Sequence, residues 1–198
     1  LLLNNNPIPN PSSYLSAIPF SYMVYARITN IVSASKCTAI EAITITINPN
    51  PVVEIVAVTD TSVCSATNGN NNVHVEISGN ISGITYNWTA ITNGVSIVGG
   101  TTSGTITATS NTIGIDLQVI TSDLLVAGTI YFEVSAVKNG CVGNTLQSEI
   151  VLVNPNPGMA IPSPDKTICS GEPTNLIIDV SPFIAGTEIE WEVLTVVN

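Results

Sequence analysis

The sequence has 198 residues, and fourteen Asp and Glu against four Lys and Arg give a net charge of −10 that would repel the phosphates of nucleic acid. Only 9% of the residues are charged while 44% are hydrophobic, so Asn, Thr and Ser must supply most of the solubility. No uninterrupted apolar run approaches the roughly 18 residues of a membrane-spanning helix. We therefore expect no membrane span and place the hydrophobic residues in strands.

The first 50 residues predict a loop followed by a β-hairpin. Three prolines within residues 1–13 exclude a central strand or a helix there. The apolar run 20–28 and the alternating Ile and Thr of 42–47 predict two strands. A polar turn over 33–37 is expected to join them.

A longer series of strands is predicted next, beginning with residues 52–58. After an Asn-rich turn at 68–72, residues 73–77 alternate with period two, which places two Val and one Ile on the core face. His74 and Glu76 then point outward. His74 is the only histidine, and since no motif supplies catalytic or metal-binding partners, we expect a surface residue.

Ile84, Tyr86 and Trp88 continue this core phase on the next strand. Residues 92–112 are rich in Gly, Thr and Ser, which predicts short strands at sheet edges.

Clear strand character returns at 113–120 and 130–137. Asn139-Gly140 predicts a tight turn, and a strand over 146–153 follows it. Between seven and nine strands are thus expected in this part of the chain.

A tetrapeptide occurs twice and reveals a period. Asn48-Pro49-Asn50-Pro51 returns as Asn154-Pro155-Asn156-Pro157, 106 residues later. Three landmarks recur at nearly the same offset: Cys37 with Cys141 (104), Cys64 with Cys169 (105) and Trp88 with Trp191 (103). The agreement indicates an internal repeat.

The period divides the chain into three parts. Residues 1–50 are interpreted as the second half of a module, 51–157 as a complete module, and 158–198 as the first half of a third. We expect the segment to belong to a longer protein, with any export signal outside it. The two halves are nearly complementary, so head-to-tail association of copies could complete a module.

Each Asn-Pro-Asn-Pro stretch is predicted to be a short, stiff linker. Proline fixes its own φ and biases the preceding residue toward extended conformations, so the stretch cannot form a helix. At about 3.1 Å per residue, four residues would hold neighbouring modules roughly 12 Å apart.

Many short strands separated by regular turn signals predict an all-β chain of tandem β-sandwich modules. The order of Cys64, Trp88 and Cys141 is similar to that of an immunoglobulin-type core. A Cys64–Cys141 disulfide would close a loop of roughly 78 residues, contribute about 4 to 5 kcal/mol and imply an oxidising compartment. Free buried thiols, or a Cys37–Cys64 pair, are the alternatives.

The motifs in this order resemble the PKD-like repeats, which occur in tandem in very large secreted surface proteins of gliding and related Bacteroidota. The residues that carry the resemblance are Asn-Pro-Asn-Pro, Ser62-Val63-Cys64-Ser65, Ile84 to Thr89, Gly99 to Gly104, and Asn139 to Gly143. The resemblance implies an immunoglobulin-like sandwich, type IX secretion, a place on the bacterial cell surface, and a stalk or adhesive role that includes gliding motility. It implies no catalytic residues and no cofactor.

The acidic residues do not cluster in the sequence as metal ligands would. Five of them stand isolated in the sequence, which gives no reason to expect a metal site: Glu54, Asp60, Asp116, Asp123 and Asp165. Three further acids alternate with apolar residues, which predicts a strand with Glu188, Glu190 and Glu192 outward and Ile189, Trp191 and Val193 inward.

Two functions follow from these observations, and neither is enzymatic. The first is a structural and adhesive repeat segment of a long extracellular surface protein, whose partners are neighbouring modules, other copies in a filament, and a surface polysaccharide or protein. The alternative is an accessory carbohydrate- or protein-binding module of a secreted multidomain enzyme.

Overall fold

The structure, a computed structural model, describes residues 20–32, 37–66, 69–110, 112–160, 166–181 and 183–192. These residues form strands and no helix, which confirms the predicted all-β class; in particular, the described part holds no helix long and apolar enough to cross a membrane. In chain order the strands are β1 (Phe20–Thr29), β2 (Thr38–Ile47), β3 (Val53–Val58), β4 (Ser62–Cys64), β5 (Val73–Gly79), β6 (Thr85–Asn93), β7 (Val95–Ile97), β8 (Ser103–Thr107), β9 (Thr112–Leu117), β10 (Val119–Thr121), β11 (Gly128–Lys138), β12 (Cys141–Gln147), β13 (Val151–Asn154), β14 (Met159–Ala160) and β15 (Asp179–Val180).

The predicted N-terminal hairpin is confirmed by β1 and β2. They pair antiparallel without a register shift, from Phe20 opposite Ile47 to Thr29 opposite Thr38. The predicted loop over 1–13 and most of the turn, residues 33–36, lie outside the described residues.

Residues 51–157, called the central unit below, contain two main sheets that share one core. A three-stranded sheet has the order β3-β5-β9, and a larger sheet has the order β4-β13-β11-β6-β8, with β12 also paired to β11. β7 and β10 form a small third pair. This arrangement is compatible with a β-sandwich, because buried side chains from both main sheets belong to one hydrophobic cluster.

Period-two alternation builds that core. On β5 the residues predicted to face inward, Val73, Val75 and Ile77, are buried, whereas those between them are partly exposed. The predicted core phase of β6 is likewise confirmed, since Ile84 just before it, and Tyr86 and Trp88 within it, are all buried. Burial of such side chains is the main favourable term in the free energy of folding.

Trp88 determines which residue can stand beside it on the neighbouring strand. Its ring lies 6.3 Å from that of Phe132 on β11. On its other side Gly104 is its partner in β8, and a Cβ built there would lie 2.7 Å from the indole nitrogen. A glycine is therefore needed where the indole crosses β8.

The predicted tight turn joins β11 to β12. Asn139 and Gly140 both have positive φ, 49° and 79°, as a two-residue type I′ turn requires. The following strand departs from the prediction: it begins at Cys141 rather than near residue 146, and residues 148–150 interrupt it before β13. At the interruption Ser148 Oγ accepts a hydrogen bond from the Phe132 N–H (2.9 Å), so a side chain replaces a ladder bond.

The central unit holds more and shorter strands than the seven to nine expected. The run predicted as one strand over 113–120 is divided at Gln118 into β9 and β10, which join different sheets. Similarly, the chain leaves the first sheet after β3 and enters the second as β4, which pairs parallel with β13. Such a change of sheet is decided by tertiary packing, which local alternation does not encode.

The strand predicted around Trp191 does not form. Residues 187–192 are assigned to no strand, and Trp191 is 77% exposed instead of facing inward. β6, which contains Trp88 and corresponds to this segment in the sequence period, is paired on both sides, by β11 and β8. No described strand pairs with residues 187–192. Val193 lies outside the described residues.

The predicted Cys64–Cys141 disulfide is not formed in the structure, where all four cysteines are free thiols. Cys64 pairs with Asn154 beyond the Gly128 end of β11, whereas Cys141 pairs with Lys138 at its other end. The length of β11 therefore separates the two cysteines by roughly 30 Å. A disulfide requires Cα atoms within about 7 Å.

The state of the thiols can be measured directly. We expect titration of the denatured protein with Ellman's reagent, without reductant, to give four free thiols per chain. The midpoint of urea unfolding should also be unchanged by dithiothreitol, because no crosslink restricts the unfolded chain. A count of two thiols together with a lower midpoint in reductant would contradict the structure.

Candidate functional site

The first Asn-Pro-Asn-Pro stretch is bound to the central unit over its second half. Asn80 Nδ2 donates to the carbonyl oxygen of Asn50 (3.2 Å), and Asn80 Oδ1 accepts from the N–H of Val52 (2.8 Å). Pro51 is buried, and a Cβ on Gly143 would overlap its carbonyl oxygen. The stretch is therefore packed against β12 before it continues into β3.

Asn144 extends this attachment across the edge between the two main sheets. Its Oδ1 accepts from the N–H of Val53 (2.7 Å), and its Nδ2 donates to the carbonyl oxygen of the same residue (3.0 Å). One side-chain amide on β12 thus satisfies both backbone groups of the first residue of β3. The two sheets are held together at the point where the chain enters the central unit.

The second Asn-Pro-Asn-Pro stretch is bound through its own asparagines. Asn154 Nδ2 donates to Ser62 Oγ (2.8 Å), while Asn156 Nδ2 donates to the carbonyl oxygen of Ser65 (2.7 Å). In addition, the Ser65 N–H donates to the carbonyl oxygen of Asn154 (2.7 Å). Pro155 is half-buried and Pro157 is exposed, so the chain leaves the unit only after Asn156.

Asn72 anchors the segment that receives this second stretch. Its Nδ2 donates to the carbonyl oxygens of Cys64 (2.7 Å) and Val119 (2.9 Å), and its Oδ1 accepts from the Val119 N–H (2.8 Å). Ser65 Oγ accepts from the Thr121 N–H (3.0 Å). β4 is therefore tied both to the exit stretch and to β10.

The two stretches lie at opposite ends of the central unit. Gly143 and Asn144, which hold the first, lie near the Lys138 end of β11, because Lys138 pairs with Cys141. Asn154 lies beyond the Gly128 end, because Gly128 pairs with Val153. β11 has 11 residues, so entry and exit are separated by roughly 30 Å.

A groove with a volume of about 670 Å³ lies along one side of the central unit. Two segments line it, residues 55–61, where the chain crosses between sheets, and 146–149, where β12 ends. The lining is apolar at Ile55, Val58 and Leu146, with carboxylates at Asp60 and Glu149. The groove therefore runs between β3 and β12, each at the edge of its sheet.

His74 lies on the outer face of the three-stranded sheet, as its alternation predicts. Its Nδ1 is 2.8 Å from Asp116 Oδ1, and both side chains are about half exposed. Asp116, which stands isolated in the sequence, is therefore paired through the β5–β9 register, in which the two residues are opposite. Among the described residues no group of three His, Cys, Asp or Glu is arranged to hold a metal ion.

The sequence shows the two Asn-Pro-Asn-Pro stretches but does not reveal the side chains that hold them. Asn80 and Asn144 belong to no motif that predicts these bonds, and the pattern around Asn72 predicts only a turn. The sequence does signal such contacts in general, because it has many Asn and few charged residues. A buried edge of a sheet needs neutral side chains that both donate and accept hydrogen bonds. For Asn80 and Asn144, the backbone groups that they bind lie 28 to 91 positions away in the sequence.

Comparison with models of protein families gives no match to this chain, and a search of curated proteins also finds none. The central unit and the two Asn-Pro-Asn-Pro stretches attached to it are the features of the chain that bear on function.

The role of Asn144 can be tested by substitution. Asn144→Ala leaves the N–H and carbonyl of Val53 without partners in a partly buried site, which should lower the free energy of unfolding by about 1 to 3 kcal/mol. Asn71→Ala is the matched control, because Asn71 is exposed. Urea unfolding followed by circular dichroism measures both; equal midpoints for the two variants would show that the Asn144 bonds do not stabilise the unit.

Proposed function

We propose that the chain is a structural and adhesive repeat segment of a long extracellular surface protein, in which immunoglobulin-like sandwich modules follow one another in series. The module boundaries are those of the sequence period, 1–50, 51–157 and 158–198. The observation that carries the proposal is the attachment of both Asn-Pro-Asn-Pro stretches to opposite ends of the central unit. A unit that the chain enters at one end and leaves at the other extends a rod when it is repeated.

The attachments support stiff joints. A free four-residue spacer would let neighbouring units swing, whereas hydrogen bonds from Asn80 and Asn156 hold the backbone on both sides of the unit. Only the residues between the last bond to one unit and the first bond to the next remain free, and prolines restrict them. The freely moving part of the joint is therefore shorter than the four residues of Asn-Pro-Asn-Pro.

Pairings outside the central unit support the repeat. β14 pairs with β15 after the second linker, as β3 pairs with β5 after the first. In both places the residue after the second strand donates its N–H to the carbonyl oxygen of the residue before the first strand. The Asn80 N–H donates to Val52, and the Ser181 N–H donates to Gly158.

The N-terminal hairpin supports it as well. Cys37 stands just before β2, and its carbonyl oxygen accepts from the Asn30 N–H at 2.9 Å. Cys141 stands at the start of β12, opposite Lys138. Corresponding cysteines thus occupy corresponding places in two hairpins, and each hairpin leads into a copy of the linker.

The β4–β13 pair gives such a stalk resistance to tension. These strands are parallel and paired from Ser62 with Leu152 to Cys64 with Asn154. When the two linkers are pulled apart, the force acts at the N-terminal end of β4 and at the C-terminal end of β13. It therefore shears the β4–β13 ladder along its length. The bonds must then break together, and the Asn154 and Asn156 side chains add to them.

The extracellular location, type IX export and a role in gliding rest on the resemblance to PKD-like repeats. The scarcity of charged side chains agrees with a surface maintained by neutral polar residues. The adhesive partner is proposed to be a surface polysaccharide or protein, with no nucleic acid involved.

A tandem protein tests the stalk. Three copies of residues 51–157 joined through their own linkers should appear in negative-stain images as a beaded rod with a spacing on the order of 40 Å per unit. Replacing Asn156 by Ala, and Pro155 and Pro157 by Gly, should keep the beads but widen the distribution of angles between them. Compact particles from the unsubstituted protein would overturn the proposal.

The alternative, an accessory binding module of a secreted enzyme, is favoured by one observation. Phe183 and Trp191 are 68% and 77% exposed, and aromatic rings in solvent can stack on the apolar faces of sugars. A glycan array probed with the full chain tests it. Binding to a defined polysaccharide that Trp191→Ala abolishes, without a change in the unfolding midpoint, would establish this function.

A further inference from the structure

The groove lined by residues 55–61 and 146–149 is a feature of the central unit alone, since no lining residue belongs to an Asn-Pro-Asn-Pro stretch. Three apolar side chains line it. Ile55 and Val58 are half-buried and pack against the core, whereas Leu146 is exposed. The groove therefore offers an apolar surface that the core of the unit supports from below.

β3 directs backbone hydrogen-bonding groups into this groove. Among the described strands it pairs only with β5, so its other edge is open. The N–H and carbonyl of Val53 face away from β5, because the side chain of Asn144 binds both of them. Backbone direction alternates along an antiparallel pair, so the N–H and carbonyl of Ile55, two residues later, face the same way.

A β-bulge then changes the alternation along β3. The register with β5 shifts between Ile55 and Ala57. Beyond the shift the Thr59 N–H donates to the carbonyl oxygen of His74 (2.8 Å), so Thr59 faces β5 and Val58, one residue earlier, faces away from it. No described residue binds the backbone of Ile55 or Val58 from the groove side.

The opposite wall of the groove is also an open strand edge. Among the described strands β12 pairs only with β11. The Ser148 N–H donates to the carbonyl oxygen of Phe132 (2.8 Å), so Ser148 faces β11. The backbone groups of Gln147, one residue earlier, then point to the other side. Both walls of the groove therefore carry backbone donors and acceptors.

Asn144 shows how the open edge of β3 binds an amide. Its Oδ1 accepts from the Val53 N–H (2.7 Å), and its Nδ2 donates to the carbonyl oxygen of Val53 (3.0 Å). A peptide group has the same kind of donor and acceptor, so an extended peptide can make the equivalent bonds farther along the same edge.

The charge of the groove favours a cationic partner. Asp60 and Glu149 are exposed, one on each wall, and neither carboxylate has an ion pair or a hydrogen bond with a described residue. No Lys or Arg is among the described residues that line the groove. The chain has a net charge of −10, so it attracts a basic peptide and repels an acidic one or a second copy of itself.

We propose that this groove binds a short, basic, extended segment of a partner protein by β-strand addition. Alternate side chains of such a segment point to opposite faces. Its apolar side chains lie against Ile55, Val58 and Leu146, and its Lys or Arg side chains lie beside Asp60 and Glu149. The site belongs to the central unit, so it does not depend on the stalk proposed above.

The bulge explains why the bound segment must be short. An added strand needs regularly alternating backbone groups, and the register shift between Ile55 and Ala57 interrupts them. Residues 55–58 span only about 10 Å, the length of three residues of an extended peptide. The same bulge prevents β3 from forming a long ladder with the edge of another sheet.

Fluorescence anisotropy of a labelled peptide with the full chain tests the chemistry of the partner. A peptide of about eight residues that alternates lysine with valine should bind saturably. A peptide that alternates glutamate with valine should bind at least about tenfold more weakly, because its charge has the wrong sign. Proline in place of each valine keeps the positive charge but removes N–H donors, and it should weaken binding by a similar factor.

Substitution of the carboxylates tests the charged contacts. Asp60→Asn and Glu149→Gln should each weaken binding of the lysine–valine peptide by about two- to fivefold, as for exposed charge pairs. Glu54→Gln is the matched control, because it removes the same charge from exposed β3 outside the groove. It should change the affinity less than either of the other two variants.

A cation placed in the groove tests the apolar contact. Leu146→Arg should weaken binding of the lysine–valine peptide by at least about tenfold, because it replaces an apolar contact by a like charge. Leu152→Arg makes the same change at a similarly exposed leucine outside the groove and should have little effect. Equal urea midpoints of the two variants would show that both keep the fold.

Amide hydrogen exchange followed by NMR tests the mode of binding. The lysine–valine peptide should slow exchange at Ile55 and Val58, whose N–H groups face the groove. Exchange at Val53 should stay the same, because Asn144 already binds its N–H. A bound peptide that slows neither Ile55 nor Val58 would be held by charge alone, which would overturn strand addition.

The proposal would also be overturned by a lysine–valine peptide that does not bind saturably, by equal binding of the glutamate–valine peptide, or by binding that Leu146→Arg leaves unchanged. If only a polysaccharide, or only a rising concentration of the chain itself, slowed exchange at Ile55 and Val58, the groove would belong to that occupant instead. The stalk is tested separately by the shape of the tandem protein, which peptide binding does not affect.

Discussion

The structure depends on side-chain amides that close the edges between two sheets. A hydrophobic core drives the sheets together, but at their edges backbone N–H and carbonyl groups are partly buried and need partners. Asn144 satisfies both groups of Val53, and Asn72 satisfies both groups of Val119 and the carbonyl of Cys64. Because an amide donates and accepts at once, one neutral side chain does what a lysine or a glutamate could not do without burying charge.

The same chemistry connects the interior of the unit to the mechanical role proposed for it. The asparagines of the second linker bind the segment around Ser65, which Asn72 and β10 already hold. In the proposed stalk, force on this stretch would pass to the sheets through several hydrogen bonds in addition to the chain itself. A composition low in charge and rich in asparagine agrees with this arrangement.

The exposed apolar surfaces have a common cause. In the central unit each strand of the core is covered because its partners lie in the same stretch of 100 or so residues. The β1–β2 hairpin and residues 166–192 carry the same alternation of apolar residues, yet Ile28 and Trp191 remain in solvent. Alternation thus determines which side chains need cover, whereas cover itself depends on a second layer.

Local pattern was sufficient for the β class, the hairpin, the type I′ turn at Asn139-Gly140 and the core phase of β5 and β6, because side-chain direction alternates along any strand. Pattern also excluded strands at the prolines of both Asn-Pro-Asn-Pro stretches, since proline restricts the backbone wherever it stands. Tertiary structure alone decided the change of sheet between β3 and β4, the partners of Asn80 and Asn144, and the separation of Cys64 from Cys141. Each of these depends on which distant strand lies alongside, and the order of cysteines along a chain carries no information about the end of a strand at which each is placed.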